Sequence, residues 1–285
     1  MKIAVCLHGI AKGMNDRGVG VSFEDAIPSI QSLTQGHDVD FFVHSWSTSE
    51  EETIKSACNP VKAEYENQIT FNHPFTADRM DIPFDPSIQT RLQSLYSRWY
   101  SYAKSVSLKS QQEKKTGQAY DFVLSTRFDI IYKNAFLPFD DLKTNRVYLS
   151  HWDHNMFRFG YNDTWFLAGS PETDKIAGIY GKLNNDIEAG SEYDLYIKGL
   201  SQIAPGEPPN DSCRVSSHGL LRWQIHREQI TPMFLGLEYA TWTLVRKKGM
   251  GNLHPRFSRG FRFPLDHPVP EDEACKNLTG PVGAP

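Results

Sequence analysis

The sequence predicts an α/β fold in which a mostly parallel central sheet is flanked by helices. Short apolar runs alternate with stretches of helical periodicity, and this alternation is typical of parallel sheets with helical crossovers. The chain has 285 residues, of which 39% are hydrophobic. It is therefore long enough for one large domain with a substantial core.

Five strands are predicted from apolar runs. They cover residues 3–7, 39–43, 122–124, 145–150 and 164–168. The first run is short and closes on a histidine and a glycine, which indicates a strand followed by a turn.

Four helices are predicted over residues 23–33, 86–112, 170–183 and 217–229. The second has the clearest pattern, with apolar side chains at spacings of three and four. Pro28 has to lie in the first turn of its helix or kink it. Loops are expected at residues 9–20, 47–86 and 201–212.

Basic and histidine side chains are expected at the surface of these helices or in structural roles. Arg91, Arg98, Lys104 and Lys109 are predicted on the polar face of the second helix. His218 and His226 in the last helix are both expected to be structural.

Composition excludes several classes of function. The net charge of −4 predicts no nucleic-acid partner. Four widely spaced cysteines argue against a zinc site and a disulfide scaffold. No run approaches the roughly 20 apolar residues of a transmembrane segment. The chain opens directly on a strand, so we expect no signal peptide and a cytoplasmic protein.

The most informative motif is the segment 120–129, which reads YDFVLSTRFD. Arg127 and Asp129 follow its apolar run, at the end where parallel sheets bind ligands. Asp129 could hold a divalent metal bound to a diphosphate, and Arg127 could neutralise the same phosphates. The alternative is a structural ion pair between the two, or with Lys133.

Through this motif the chain resembles glycosyltransferases of the GT-A type, which use sugar nucleotides. It is similar to a group found in bacterial surface-polysaccharide clusters and in large DNA viruses of algae, whose members read YD-x-V-x-x-x-R-x-D in place of D-x-D. Segments 1–9, 40–46 and 162–170 fit the order of that group. The resemblance implies a GT-A-like fold and sugar transfer from a nucleoside diphosphate donor, with UDP as the expected carrier.

The donor site is expected where the first two strands end, beside Arg127 and Asp129. The turn at His8 and Gly9 could accept the base and ribose, because glycine permits close approach, or be an ordinary turn. Lys12 could reach phosphates or lie solvated at the surface. Trp46 could stack on the base or on a sugar, or pack against the sheet. Mn²⁺ or Mg²⁺ is the expected cofactor, with Asp129 as its ligand. The resemblance also implies an alternative role for His218 or His226, as a further metal ligand or a phosphate contact.

The acceptor is expected to be an oligosaccharide or a glycoconjugate. Trp152 and Asp153 in the polar loop 151–155 are predicted to bind it together with Asn162, although the loop could simply be exposed. The resemblance implies that Asp163 faces the acceptor hydroxyl as the general base of an inverting transfer. The alternative for Asp163 is a turn-forming residue.

We expect one catalytic domain over residues 1–250, followed by a C-terminal tail at 251–285. Its nucleotide-binding half would cover about 1–135 and its acceptor half about 136–250.

Two other functions remain open at this point. A metal-dependent phosphohydrolase or nucleotidyltransferase would use Asp129, Asp153 and nearby histidines. A non-catalytic carbohydrate-binding protein would use Trp46, Trp152 and Trp165 as stacking surfaces.

Overall fold

The structure is a computed structural model. It describes residues 1–14, 20–21, 23–24, 26–71, 86–133, 137, 139–150, 160–203, 215–235, 241–244 and 246–247. The predicted tail at 251–285 and the predicted acceptor residues Trp152 and Asp153 lie outside these ranges.

Twelve strands lie within the described ranges. They are β1 (Lys2–Gly9), β2 (Gly13–Met14), β3 (Gly20–Val21), β4 (Asp38–Ser45), β5 (Lys62–Tyr65), β6 (Phe122–Arg127), β7 (Ile130–Lys133), β8 (Arg146–Ser150), β9 (Trp165–Ala168), β10 (Thr231–Leu235), β11 (Thr241–Leu244) and β12 (Arg246–Lys247).

The described α-helices follow the same numbering. They are α1 (Ala26–Leu33), α2 (Glu51–Cys58), α3 (Pro86–Thr116), α4 (Ser170–Ala177), α5 (Ile179–Asp186), α6 (Glu192–Ile203) and α7 (Ser217–Arg227). Short 3-10 turns lie at Thr48–Glu50 and Phe139–Asp141. No helix in the described ranges is both long enough and apolar enough to cross a membrane.

Seven strands form one sheet in the order β10-β8-β9-β6-β1-β4-β5. Strand β9 runs antiparallel to both of its neighbours, and the other pairings are parallel. The α/β class and the mostly parallel sheet are therefore confirmed. Strands β7 and β11 form a separate antiparallel pair, and β12, β3 and β2 form a small third sheet.

Two apolar clusters cover the two faces of the large sheet. One contains the inward side chains of α1 and α2, together with Val5 and Leu124 from the sheet. The other contains those of α3 to α7, together with Cys6 and Val123. Because consecutive residues of β1 and β6 alternate between these clusters, both strands are buried on two faces, as their continuous apolar runs predict.

Strand β1 lies where the order of the sheet reverses. The chain leaves β1 through α1 toward β4 and β5, and α3 then brings it back to β6 on the other side of β1. Since α1 and α3 cover opposite faces, β1 and β6 flank a topological switch point. Ligands of open α/β sheets bind at the carboxyl ends of the strands at such a point.

All five predicted strands are confirmed: β1, β4 and β6 are longer than predicted by three or fewer residues, whereas β8 and β9 each start one residue later than predicted. The predicted helix 170–183 is wrong in one respect, because α4 ends at Ala177 and α5 starts at Ile179. Gly178 lies between them and donates its N–H to the Lys175 carbonyl, and glycine weakens a continuous helix. The expected loop at 47–86 also contains α2 and β5. Helix α2 buries only Ile54 and Cys58, and the residues of β5 are half-buried, so both elements give a weak apolar pattern.

The polar face predicted for α3 is wrong at two positions. Lys109 is fully buried, and its Nζ lies 2.8 Å from Asp174 Oδ1 and 2.9 Å from Glu113 Oε2. The Arg98 side chain is only 9% exposed. These cations are buried because α3 packs against α4 and α5 as well as the sheet, and carboxylates provide the pairing that a buried charge requires.

A chain of hydrogen bonds fixes the turn at the end of β1. Gly9 donates its N–H to Ser101 Oγ at 2.8 Å, and Ser101 Oγ lies 2.7 Å from His44 Nδ1. On its other side His44 Nε2 lies 2.7 Å from Glu66 Oε1. The Gly9 carbonyl accepts the N–H of Trp46 at 3.1 Å, so the ends of β1 and β4 are tied together.

Gly9 has a φ of +106°, a conformation that residues with a Cβ rarely adopt. A methyl group there would meet no atom within 4 Å, so the constraint is the backbone angle and not space. We expect Gly9→Ala to lower the free energy of unfolding by about 1–3 kcal/mol, measured by urea denaturation. Gly181→Ala is the matched control, because Gly181 also has open space but lies within α5. The control should be neutral or stabilising by up to about 1 kcal/mol, and equal effects would contradict the backbone explanation.

Candidate functional site

Side chains from four parts of the chain meet at the carboxyl ends of β1 and β6. His8 and Arg127 are direct register partners on these two strands. Asp163 lies two residues before β9, which is antiparallel to β6, so it belongs to the same edge of the sheet. Arg98 reaches this edge from the middle of α3.

Arg98 joins the end of β1 to the segment before β9. Its Nε donates to Asp163 Oδ2 at 3.0 Å, and its Nη2 donates to the Asp163 carbonyl oxygen. Its Nη1 contacts His8 Nε2. Arg98 therefore uses each of its three nitrogens to hold two other parts of the site.

Asp163 is buried, with a side chain only 6% exposed. Oδ2 accepts from Arg98, and Oδ1 lies 3.0 Å from His218 Nδ1 at the start of α7. Burial disfavours the charged carboxylate, but the neighbouring His218 and Arg98 outweigh burial and hold the pKa of Asp163 well below its usual range. The carboxylate is therefore ionised at neutral pH and has little tendency to take a proton.

His8 is a neutral imidazole that accepts a hydrogen bond. Burial, followed by the charge of Arg98, holds its pKa well below the usual range. Because the Arg98 guanidinium can only donate, His8 Nε2 is the acceptor and Nδ1 carries the proton. Nδ1 faces the Cys6 carbonyl at 3.4 Å, which agrees with this tautomer.

Arg127 and Asp129 form a two-point ion pair at the end of β6. Arg127 Nε donates to Asp129 Oδ1 at 2.7 Å and Nη2 donates to Oδ2 at 2.5 Å. The alternative role of this motif, a structural ion pair between Arg127 and Asp129, is therefore present in the fold. The Arg127 side chain is 19% exposed and that of Asp129 is 7% exposed, so the guanidinium is the more accessible partner.

The residues present do not fit the expected Mn²⁺ or Mg²⁺ at Asp129. Both of its carboxylate oxygens accept hydrogen bonds from Arg127. Within the described ranges no group of three or more His, Cys, Asp or Glu side chains could hold a metal ion. A divalent cation usually takes several oxygen ligands, and one carboxylate already paired with a guanidinium is a poor donor set.

Trp46 and Lys12 lie beside the Gly9 turn. Trp46 is 7% exposed, and its ring stacks on Tyr100 with centroids 5.3 Å apart, so it packs as part of the fold. The Lys12 side chain is half exposed, with Nζ 3.8 Å from Glu24 and 3.7 Å from Glu50. Ion pairs this long, made by a half-exposed side chain, contribute little stability, so they do not commit Lys12 to a structural role.

Asn162 shapes the turn that presents Asp163. Its Oδ1 accepts the backbone N–H of Thr164 at 3.0 Å and the Thr164 hydroxyl at 2.8 Å. Asn162 is only 1% exposed. It therefore positions the chain ahead of β9, whereas it was predicted to bind the acceptor.

Arg98 was missed as a site residue, although the sequence carries a signal for it. It lies three residues after Leu95 and four before Tyr102, both of which belong to the apolar stripe of α3. A cation at a core-facing position of a helix has to find a buried partner. His218 had no comparable signal, because its contact with Asp163 joins residues 55 positions apart in the chain.

No protein-family model matches this chain, and no curated protein is recognisably similar to it. The function is therefore inferred from the residues and their arrangement.

Replacing Asp163 should reveal how much the buried ion pairs stabilise the fold. We expect Asp163→Asn to lower the free energy of unfolding by about 3–5 kcal/mol, because Arg98 would keep its buried charge without a carboxylate partner. The exposed Asp141→Asn is the control and should change stability by less than about 0.5 kcal/mol. Urea denaturation at neutral pH measures both, and a similar small effect for the two variants would show that the pairs contribute no net stability.

His8 should make stability depend on pH in the mildly acidic range. The unfolded chain binds a proton near pH 6.5, whereas folded His8 stays neutral because its pKa is well below that value. Stability should therefore fall as the pH drops below about 6.5, by up to about 1.4 kcal/mol per pH unit from this residue. Urea denaturation of the wild type and His8→Gln between about pH 8 and pH 5 tests this. The variant should lose less stability than the wild type, and parallel curves would refute the assignment.

Proposed function

We propose that the protein is a glycosyltransferase that moves a sugar from a UDP-linked donor to a glycan acceptor, on a fold of the GT-A type. The observation that carries the proposal is the position of Arg127 and the Gly9 turn. Both lie at the carboxyl ends of β1 and β6, at the switch point of the sheet. That position is the general ligand site of open α/β sheets.

The Gly9 turn supports binding of the nucleoside part of the donor. Its backbone has a positive φ, is fixed by Ser101 and Trp46, and carries no side chain. A planar base or a ribose can therefore approach the main chain closely. Lys12 follows in the same connection, where its flexible ammonium group can reach a phosphate.

Arg127 supports binding of the diphosphate. Asp129 holds the guanidinium through Nε and Nη2, which fixes its plane. Nη1 has no hydrogen-bond acceptor among the residues that the structure describes. A guanidinium oriented in this way can donate to phosphate oxygens and stabilise the negative charge that develops on the leaving diphosphate.

Arg98 adds a second positive charge close to the same edge. It is fully engaged with His8 and Asp163, so it contributes through its field and not through a direct contact. In this proposal arginines provide the stabilisation of the leaving group, and Asp129 orients Arg127.

Asp163 marks the acceptor side of the site. It comes from the second half of the chain and reaches the edge beside β6. An oligosaccharide or glycoconjugate acceptor would bring its hydroxyl to this side, opposite the departing diphosphate, and direct displacement would invert the anomeric centre. The resemblance predicts Asp163 as the base of this step, but a carboxylate whose pKa is held well below its usual range is a weak base.

The two other candidate functions have less support. The described residues lack the carboxylate and histidine cluster that a metal-dependent phosphohydrolase would use. Trp165 is fully buried and Trp46 is 7% exposed, so neither offers a surface for stacking on a glycan. UDP binding would also separate the two functions, because a carbohydrate-binding protein has no need for a nucleotide.

UDP should stabilise the protein more than AMP or NAD in a thermal-shift assay. Binding to the native state adds about 2.7 kcal/mol of stability at a ligand concentration of 100 times Kd. Arg127→Met should weaken UDP binding by about 10–100-fold, as expected for losing charge-assisted hydrogen bonds worth about 1.5–3 kcal/mol. Each shift is referenced to the ligand-free Tm of the same variant.

The control is Arg91→Met, which removes an exposed arginine from α3 and should leave the UDP shift unchanged. The UDP shift should also be equal in Mn²⁺ and in chelator. A shift that requires Mn²⁺ would return Asp129 to the role of metal ligand. If no nucleoside diphosphate shifts the Tm, the glycosyltransferase proposal fails.

A further inference from the structure

We propose that His218 takes the proton from the acceptor hydroxyl and that Asp163 orients it. This inference rests on the proposed glycosyl transfer and names the base within it. His218 lies at the start of α7, and its Nδ1 is 3.0 Å from Asp163 Oδ1. A carboxylate that holds one imidazole nitrogen while the other handles a proton is a recurrent arrangement in enzymes.

The contacts of His218 fix its tautomer. Nδ1 lies 3.0 Å from Asp163 Oδ1 and 3.0 Å from the carbonyl oxygen of Tyr161. Both of these oxygens are acceptors, so Nδ1 must carry the hydrogen. In the neutral ring the lone pair is then on Nε2, which is the nitrogen able to accept a proton.

Accessibility also favours His218 over Asp163. The side chain of His218 is 26% exposed, whereas that of Asp163 is 6% exposed. Both oxygens of Asp163 are already occupied, by Arg98 and by His218. An acceptor hydroxyl can approach a partly exposed imidazole more readily than a buried carboxylate held in two ion pairs.

The backbone holds His218 in place. Tyr161 donates its N–H to the His218 carbonyl at 3.0 Å, and the imidazole returns a hydrogen bond to the Tyr161 carbonyl. Gly160 makes this approach possible, because a Cβ there would lie 2.6 Å from both Gly219 N and His218 Cβ. Ser216 caps the helix by accepting the N–H of Gly219. The ring is therefore positioned by the fold before any ligand binds.

The charged groups around His218 come from three other elements and from its own helix. Asp163 contacts it directly from the segment before β9, and Arg98 from α3 and Arg127 from β6 lie behind that carboxylate. Arg222 lies one turn further along α7. Among the residues that the structure describes, Asp163 places a negative charge against the ring, and this charge would stabilise an imidazolium.

In the proposed transfer one bond to the anomeric carbon forms and another breaks. An oxygen of the acceptor hydroxyl forms a bond to the anomeric carbon of the donor sugar. The bond from that carbon to the phosphate oxygen breaks, and its electron pair leaves with UDP. The hydroxyl proton passes to Nε2 of His218, and the resulting imidazolium is paired with Asp163 until it returns the proton to water.

Water can replace the unknown acceptor in the test. UDP release would be measured with UDP-glucose, UDP-galactose and UDP-N-acetylglucosamine as donors. We expect His218→Gln to lower kcat by about 10²–10⁴-fold, with little change in KM for the donor and an unchanged thermal shift with UDP. His226→Gln on the same helix is the matched control and should keep wild-type kinetics.

Two further variants separate proton transfer from structure. Added imidazole should restore UDP release to His218→Ala, which a purely structural role would not permit. Asp163→Asn should lower kcat while leaving KM for the donor unchanged, provided that the assay is run where the variant is folded. If Asp163→Asn does not fold, the imidazole result decides.

The outcomes distinguish the two proposals. A wild-type protein that neither binds UDP nor releases it from any donor overturns glycosyl transfer itself. A wild type that releases UDP at a rate matched by His218→Gln overturns only the role of His218. UDP binding with no release from any of the three donors also overturns that role, because a base open to a hydroxyl is open to water.

Discussion

The ion pair between Arg98 and Asp163 is the interaction on which the arrangement of the site depends. It joins α3, the end of β1 and the segment before β9, although these lie far apart in the chain. Both side chains are almost fully buried, so neither charge can be solvated by water if its partner is lost. The same carboxylate also holds His218 at the start of α7, so four elements share one buried charge network.

The two arginines of the site, Arg98 and Arg127, have different roles. Arg98 has each of its nitrogens engaged within the protein, and therefore shapes the site and sets its field. Arg127 is held from one edge by Asp129 and is more accessible. A buried, satisfied cation next to an accessible one is consistent with a site that binds an anionic group without a metal ion.

Several residues at the site use their side chains to hold the backbone in place. Ser101, His44 and Glu66 form a relay that ends on the N–H of Gly9, and Asn162 bonds Thr164 ahead of β9. These contacts place the turn at β1 and the acid before β9 at fixed positions. Such preorganisation reduces the cost of ordering the site when a ligand binds.

The sequence by itself determined the α/β class, the five strands with continuous apolar runs, the long amphipathic α3 and the strand-end pair of Arg127 and Asp129. These features are local, because the periodicity of a helix and the polar residues at the end of a strand can each be recognised within a segment of about ten to thirty residues. Only the tertiary structure decided that Arg98 points into the fold, that both oxygens of Asp129 are taken by Arg127, and that His218 meets Asp163. Those outcomes depend on which elements pack together, and a contact between residues 55 or 65 positions apart leaves no periodic pattern in one sequence.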